Sequence, residues 1–245
     1  MKLRDNTILI TGGSSGIGLA MAKALVSKGN TVLICARTEA KLAEAKRIIP
    51  KVHTVKCDIS DPLEQDALIS YIHAHFPKLN ILINNAGMMQ QLDLTNGAYC
   101  LEDVSREVNT NFLAPLDLTQ RLLPLLQKQA QAAIINISSG LAYVPMASSP
   151  VYCASKAALH SYTQSLREQL KQISIKVFEV LPPTVDTAMT KDLATSKLSP
   201  EAFAKQVLKK LERNKSEIRV GQSRALYAMS RLAPGFIYSL LNRTA

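Results

Sequence analysis

Three residues in the segment SGLAYVPMASSPVYCASK, 139 to 156, have the types and spacing to act on one reacting carbonyl: Ser139, Tyr152 and Lys156. Tyr152 and Lys156 stand four apart in VYCASKAALHSYTQSLREQL, a stretch with helical periodicity, so both project from one helix face. A phenol titrates near pH 10. To give up its proton at neutral pH, its anion must be stabilised by about 3 units, or roughly 4 kcal/mol. One cation at about 4 Å and an effective dielectric near 20 contributes about that much. A Tyr-x-x-x-Lys pair is common on solvated helix faces, but of the seven tyrosines only Tyr152 has a Lys four residues on, and a strand ending in serine precedes it.

The groups that must hold these residues are legible as short apolar runs. TILIT (7 to 11), TVLIC (31 to 35), HTVKC (53 to 57), NILIN (80 to 84), AIINIS (133 to 138) and IKVFEVL (175 to 181) alternate with helical segments, and EIRVG (217 to 221) adds an edge strand. Apolar β-branched runs separated by helices predict a parallel sheet buried on both faces. The expected fold is therefore α/β, a Rossmann-like doubly wound sheet in three α/β/α layers, one domain over residues 1 to 245. Residues 188 to 221 read as a lid, substrate region and edge strand, with the lid from Ala188 to about Lys205; 222 to 245 read as a basic amphipathic tail. Long helices are expected around 100 to 129 and 152 to 172.

TILITGGSSGIGLAMAKAL reads as strand, glycine turn and helix. Gly12, Gly16 and Gly18 permit close backbone approach to a pyrophosphate, and the exposed amides that open the helix attract its charge. After the second strand, where a carboxylate would hold a ribose 2′-hydroxyl, stand Ala36 and Arg37. A 2′-phosphate is then tolerated and paired, so NADP is expected ahead of NAD.

Composition narrows the class. No apolar run approaches the roughly 18 residues of a spanning helix, and the start MKLRDNTILITGG does not read as a signal peptide, so a cytoplasmic location is expected. Cys35, Cys57, Cys100 and Cys153 lack Cys-x-x-Cys spacing and read as reduced thiols. His73 and His75 fall on opposite sides of a helix, and His53 and His160 read as isolated structural residues, so no metal is expected. Of the net charge of +10, +7 lies between Lys191 and Ala245, with eleven Lys and Arg against four Asp and Glu. No nucleic-acid module accompanies it.

These motifs, in this order, resemble the short-chain dehydrogenase/reductase family over nearly the whole chain. The resemblance implies cofactor contacts from Gly12, Ser14, Ser15, Gly16, Ile17 and Gly18; from Arg37, Asp58 and Ile59; from Asn85, Ala86 and Gly87 of NNAG; from Tyr152 and Lys156; and from Pro182, Val185 and Thr187. It selects Asn111 over Asn109 in EVNTNF and Ser139 over Ser138 in INISS, which completes a catalytic set of Asn111, Ser139, Tyr152 and Lys156. In this pattern Ser139 holds the carbonyl oxygen, Tyr152 donates the proton, Lys156 lowers the phenol and holds the nicotinamide ribose, and Asn111 keeps a water for proton resupply. Pro183 departs from the pattern, standing where the family has glycine.

The implied activity is NADP-dependent hydride transfer between nicotinamide and a carbonyl or alcohol. A lipophilic ketone or aldehyde is suggested by Met88, Met89, Leu141, Tyr143, Met146 and Met189. The alternative is a dinucleotide-sensing regulatory protein without chemistry, for which four catalytic residues would be superfluous. A homodimer or homotetramer is implied by resemblance. For the tail RALYAMSRLAPGFIYSLLNRT, packing on the domain or a second subunit is expected ahead of contact with a membrane surface.

Overall fold

Each of the predicted runs forms a strand, and all pair in parallel. In the computed structural model, which describes residues 1–93, 95, 100–193 and 196–243, β1 (Thr7–Thr11), β2 (Thr31–Ala36), β3 (His53–Lys56), β4 (Leu79–Asn84), β5 (Ala132–Ile137), β6 (Ile175–Leu181) and β7 (Glu217–Arg219) make one sheet. Its order is β3-β2-β1-β4-β5-β6-β7. The strand order reverses between β1 and β4, which opens a crevice at their carboxyl ends where such sheets bind ligands.

The absence of polar alternation in the strands has a direct cause, since both faces are covered. Ile8 and Ile10 of β1 pack with α1 (Gly16–Ser27), α2 (Glu39–Ile48) and α7 (Pro200–Glu212) on one side. Leu9 packs with α3 (Pro62–His75) and α5 (Ala114–Gln127) on the other, where α6 (Pro150–Gln169) continues the layer through Leu166. This is the three-layer architecture the runs predicted. No helix among the described residues is long and apolar enough to cross a membrane.

Two expectations about helices are corrected. The segment around 100 to 129 is not one α-helix: α4 (Leu101–Val108) passes through a π-helical turn, Asn109–Leu113, before α5. The wider turn admits one extra residue, and the tertiary hydrogen bonds of Asn111 described below account for it. Part of the segment expected as a lid, Ala188 to about Lys205, belongs to a core helix. Ala188–Thr190 form a single 3-10 turn, but from Pro200 the chain is α7, capped by the Ser199 hydroxyl and held to the core by fully buried Phe203. Ala194 and Thr195 of the expected lid, and Thr244 and Ala245 of the expected tail, lie outside the described residues.

Phe203→Ala should cost about 3–5 kcal/mol in urea denaturation, whereas Met189→Ala, at an exposed position, should stay within about 0.5 kcal/mol. Equal effects would contradict this boundary between turn and core helix.

Candidate active site

The crevice collects its residues from loops at the carboxyl ends of β1, β2, β3, β4, β5 and β6. The glycine turn after β1 is tight for reasons that sequence only partly conveys. A Cβ on Gly18 would stand 2.5 Å from the Gly12 carbonyl and 2.6 Å from Asn85 Nδ2, so that glycine serves close packing of helix on strand. Gly12 and Gly16 have φ of +64° and +52°, in the left-handed region that favours glycine. Gly13, which the sequence reading passed over, is required as well: its Cβ would meet Ile34 at 2.5 Å. Asn85 fastens the turn from the side, its Nδ2 donating to the Thr11 carbonyl at 2.8 Å and the Gly12 carbonyl at 3.2 Å. Thr11 Oγ1 in return accepts from the Asn85 and Ala86 amides, both at 3.0 Å. The NNAG motif thus ties β1 to β4 across the switch point.

The far end of the crevice is basic. Arg37 lines it as expected, with Nη1 3.9 Å from Asp58 Oδ2, and Lys41 lines it too. Lys41 was missed, although its position four residues after Arg37 at the start of α2 was the available signal. Asp58 is held in place by Ser60, whose amide and hydroxyl donate to Oδ1 at 2.9 and 2.7 Å.

At the near end stand Ser139, Tyr152 and Lys156, all lining the same crevice as the glycine turn. Ser139 follows β5, and α6 begins with Pro150 at its first turn, so that Tyr152 and Lys156 face inward; they are 8% and 4% exposed. Lys156 Nζ donates to the Ile137 carbonyl at 2.9 Å and sits 5.8 Å from the Tyr152 ring centre.

This geometry corrects the expected electrostatics. Burial pushes the Tyr152 phenol up to about 12; the neighbouring Ser139 hydroxyl works against this, and Cys153 and Glu107 reinforce it. Burial likewise pulls Lys156 down to about 8, opposed by Glu107 and Glu179. The ammonium is therefore spent on a carbonyl beside the phenol and does not by itself acidify it.

Asn111 is completely buried in the π turn. Its Nδ2 donates to the Met88 carbonyl at 2.9 Å and to Ser155 Oγ at 3.0 Å, and its Oδ1 accepts from the Met88 amide at 2.9 Å. The same π segment places Thr110 on the crevice wall, its buried hydroxyl without a hydrogen-bond partner among the described residues. Glu107, one turn earlier and 1% exposed, accepts from the Gln90 amide at 3.4 Å, and burial raises it to about 6.

After β6, Pro182, Val185 and Thr187 line the crevice where expected, and Pro183 joins them. Val185 bridges to Leu198 in parallel, and Thr187 packs over the glycine turn, with its Cγ2 3.0 Å from where a Gly16 Cβ would be. Of the apolar residues expected at a substrate pocket, Met88 and Met189 line this crevice. Tyr143 does not, because its hydroxyl donates to Glu217 and its ring packs edge-on against His160 and Tyr227.

His160 is not isolated either. Its Nδ1 contacts both oxygens of fully buried Glu179, at 3.0 and 2.8 Å, and Glu179 Oε1 also accepts from Ser138 Oγ at 2.5 Å. The corner that carries Ser139 is thus braced from behind by a carboxylate on β6 and an imidazole on α6. Glu217 stands close enough that His160, Glu179 and Glu217 form a cluster with all ligand atoms within 4.8 Å. Glu217 is bound by Arg219 Nη2 at 2.5 Å, so the local charge is already balanced by protein cations.

Residues 6–198 match the short chain dehydrogenase family. An oxidoreductase of Bacillus subtilis strain 168, described as uncharacterized and named DltE, is 44% identical over 224 residues, 89% of either chain. The chain belongs to the short-chain dehydrogenase/reductase family. It is accordingly an NAD(P)-dependent oxidoreductase. An uncharacterized oxidoreductase of Staphylococcus epidermidis is 33% identical over 190 residues, 77% of this chain and 82% of that one. Among solved structures, a short chain dehydrogenase from Burkholderia cenocepacia J2315, in complex with NADP, superposes with a TM-score of 0.87 over 98% of this chain and 99% of that one, at 25% identity. A Burkholderia phymatum member in complex with NAD has a TM-score of 0.86 at 21% identity, covering 100% and 98%, and shares the fold.

The Glu179–His160 pair yields a pH test. Glu179 holds the imidazolium above its ordinary value, opposed by burial, so the pair's stabilisation is complete below about pH 6.5 and is lost as pH rises through the raised folded-state value. Urea denaturation of His160→Ala should show a deficit of about 3 kcal/mol near pH 6 that narrows by pH 9. A deficit independent of pH would contradict an ion pair here.

Proposed function

We propose that the enzyme transfers hydride between NADP(H) and a carbonyl or alcohol, with Ser139, Tyr152, Lys156 and Asn111 as its working residues. The observation that carries this reading is the burial of Tyr152 and Lys156 together on the wall of the crevice that the glycine turn floors. The residues present fit a dinucleotide. Gly12, Gly16 and Gly18 line the crevice in a turn too tightly packed for a Cβ, Ser15 leaves the opening amides of α1 without a side-chain cap, and the Thr110 hydroxyl is a polar group on the wall without a hydrogen-bond partner among the described residues.

When bound, the dinucleotide supplies or accepts the hydride, and its oxidised nicotinamide adds a positive charge. In carbonyl reduction Ser139 donates a hydrogen bond to the substrate oxygen, and Tyr152 delivers its proton to that oxygen. Lys156 fixes the end of β5 and would hold the nicotinamide ribose. Asn111 is a positioning residue, since its amide is engaged with Met88 and Ser155 and holds the nicotinamide-side loop in place. The remaining cofactor contacts are those of Ser14, Ile17, Asp58, Ile59, Asn85, Ala86, Gly87, Pro182, Val185 and Thr187, all of which line the crevice.

NADP is favoured over NAD because Ala36 replaces the ribose-binding carboxylate and two cations, Arg37 and Lys41, line the same end. The similar Burkholderia cenocepacia protein was solved with NADP, which supports the preference. Met88 and Met189 favour a lipophilic ketone or aldehyde. A cytoplasmic homo-oligomer completes the reading. A protein that only sensed the dinucleotide would have no use for a buried phenol at the hydride-transfer end.

Tyr152→Phe should bind NADPH with near-normal affinity and lose about 10²–10⁴-fold in carbonyl reduction, followed by nicotinamide absorbance on a carbonyl panel. Retained turnover would refute the assignment. Replacing Arg37 and Lys41 by Ala should raise KM for NADPH by about 10–100-fold and leave that for NADH nearly unchanged. A parallel rise for both would exclude a 2′-phosphate site.

A further inference from the structure

The chain continues past β7 into α8 (Gln222–Leu232) and α9 (Pro234–Leu241), which the hydride-transfer chemistry does not use. These helices are fastened to the body. The Arg219 guanidinium lies 3.5 Å from the Tyr227 ring centre, Leu226 and Ser223 abut Gly140, and Asn242 accepts from the Ala147 amide at 2.6 Å and donates to the Pro145 carbonyl at 3.2 Å. Pro145 and Ala147 belong to the loop between Ser139 and Tyr152, so the tail borders the near end of the crevice.

What this docking leaves outside is apolar. Ten large apolar side chains are exposed among the described residues, and four of them fall within nine consecutive positions: Leu232 (82%), Phe236 (57%), Tyr238 (48%) and Leu240 (49%). The other six are scattered through the chain. Phe236 and Leu240 are one turn apart on a single flank of α9, and Ile237 is the residue that faces the protein. Between Gln222 and Arg243 there is no Asp or Glu, while Arg224, Arg231 and Arg243 are exposed.

We propose that α8 and α9 seat the protein on an anionic lipid surface, with Leu232, Phe236 and Leu240 entering the headgroup boundary and Arg231 and Arg243 meeting lipid phosphates. Charge decides between this occupant and a second copy of the chain. An isologous contact would set a segment that carries three arginines and no carboxylate side chain against itself, whereas an anionic bilayer satisfies the apolar and the cationic groups together. With eight residues, α9 is too short to span a bilayer and lies along its surface.

The test is flotation of the full-length chain with vesicles of phosphatidylcholine, and with vesicles carrying about one-third phosphatidylglycerol. Partitioning should be about tenfold greater to the anionic vesicles and should fall with added salt. Phe236→Ser with Leu240→Ser, and separately Arg231→Gln with Arg243→Gln, should each lose it while keeping wild-type melting and turnover of a soluble substrate. Equal partitioning of wild type and both variants, or none by wild type, would overturn the proposal. So would light scattering in which Phe236→Ser with Leu240→Ser breaks a larger assembly without any change in vesicle binding, since a second copy would then cover this face.

Discussion

The hydrogen bond from Lys156 Nζ to the Ile137 carbonyl is the constraint on which the site depends. It joins α6 to the last residue of β5, and Ser138 and Ser139 follow immediately. Because the lysine is 4% exposed, burial brings its ammonium down to about 8, and the carbonyl is its one hydrogen-bond acceptor among the described residues. The contact thus sets the position of the lysine, while Glu107 and Glu179 oppose the loss of its charge.

The phenol shows how the protein and its dinucleotide divide the electrostatic work. Burial, reinforced by Cys153 and Glu107 and opposed by the Ser139 hydroxyl, raises Tyr152 to about 12, the wrong direction for a proton donor at neutral pH. The protein supplies a dry, shaped position and a hydroxyl from Ser139; on the proposed reading, an oxidised nicotinamide in the crevice would supply the missing attraction. A polar frame surrounds the site: Asn84 Nδ2 donates to Asn136 Oδ1 at 2.8 Å, and Asn136 Nδ2 to Thr163 Oγ1 at 2.8 Å, which ties β4, β5 and α6 together beneath Ser139, Tyr152 and Lys156.

Much of this was legible in the chain. Seven strands stood out because a parallel sheet covered on both faces leaves runs such as TILIT without polar alternation. The crevice residues from Gly12 to Thr187 followed from motif order, since a shared family fold fixes where those loops meet. The failures have a common cause, which is tertiary geometry without a local signature. NTNF carries no residue that forbids an ordinary α-turn; the π turn arises from bonds between Asn111 and a distant loop. His160, Glu179 and Glu217 lie on α6, β6 and β7, and nothing in their spacing announces a cluster. Tyr143 was expected at the pocket, yet the 3-10 turn of Gly140–Ala142 carries it away toward Glu217.

The central claim, that protein burial holds the phenol protonated and the dinucleotide releases it, is tested most directly by tyrosinate absorbance. The difference spectrum between wild type and Tyr152→Phe should show no ionisation below about pH 9 in the free protein, and a step shifted down by several units when NADP⁺ is saturating. An ionisation that begins near neutral pH in the free protein, or one that NADP⁺ leaves unmoved, would contradict the account.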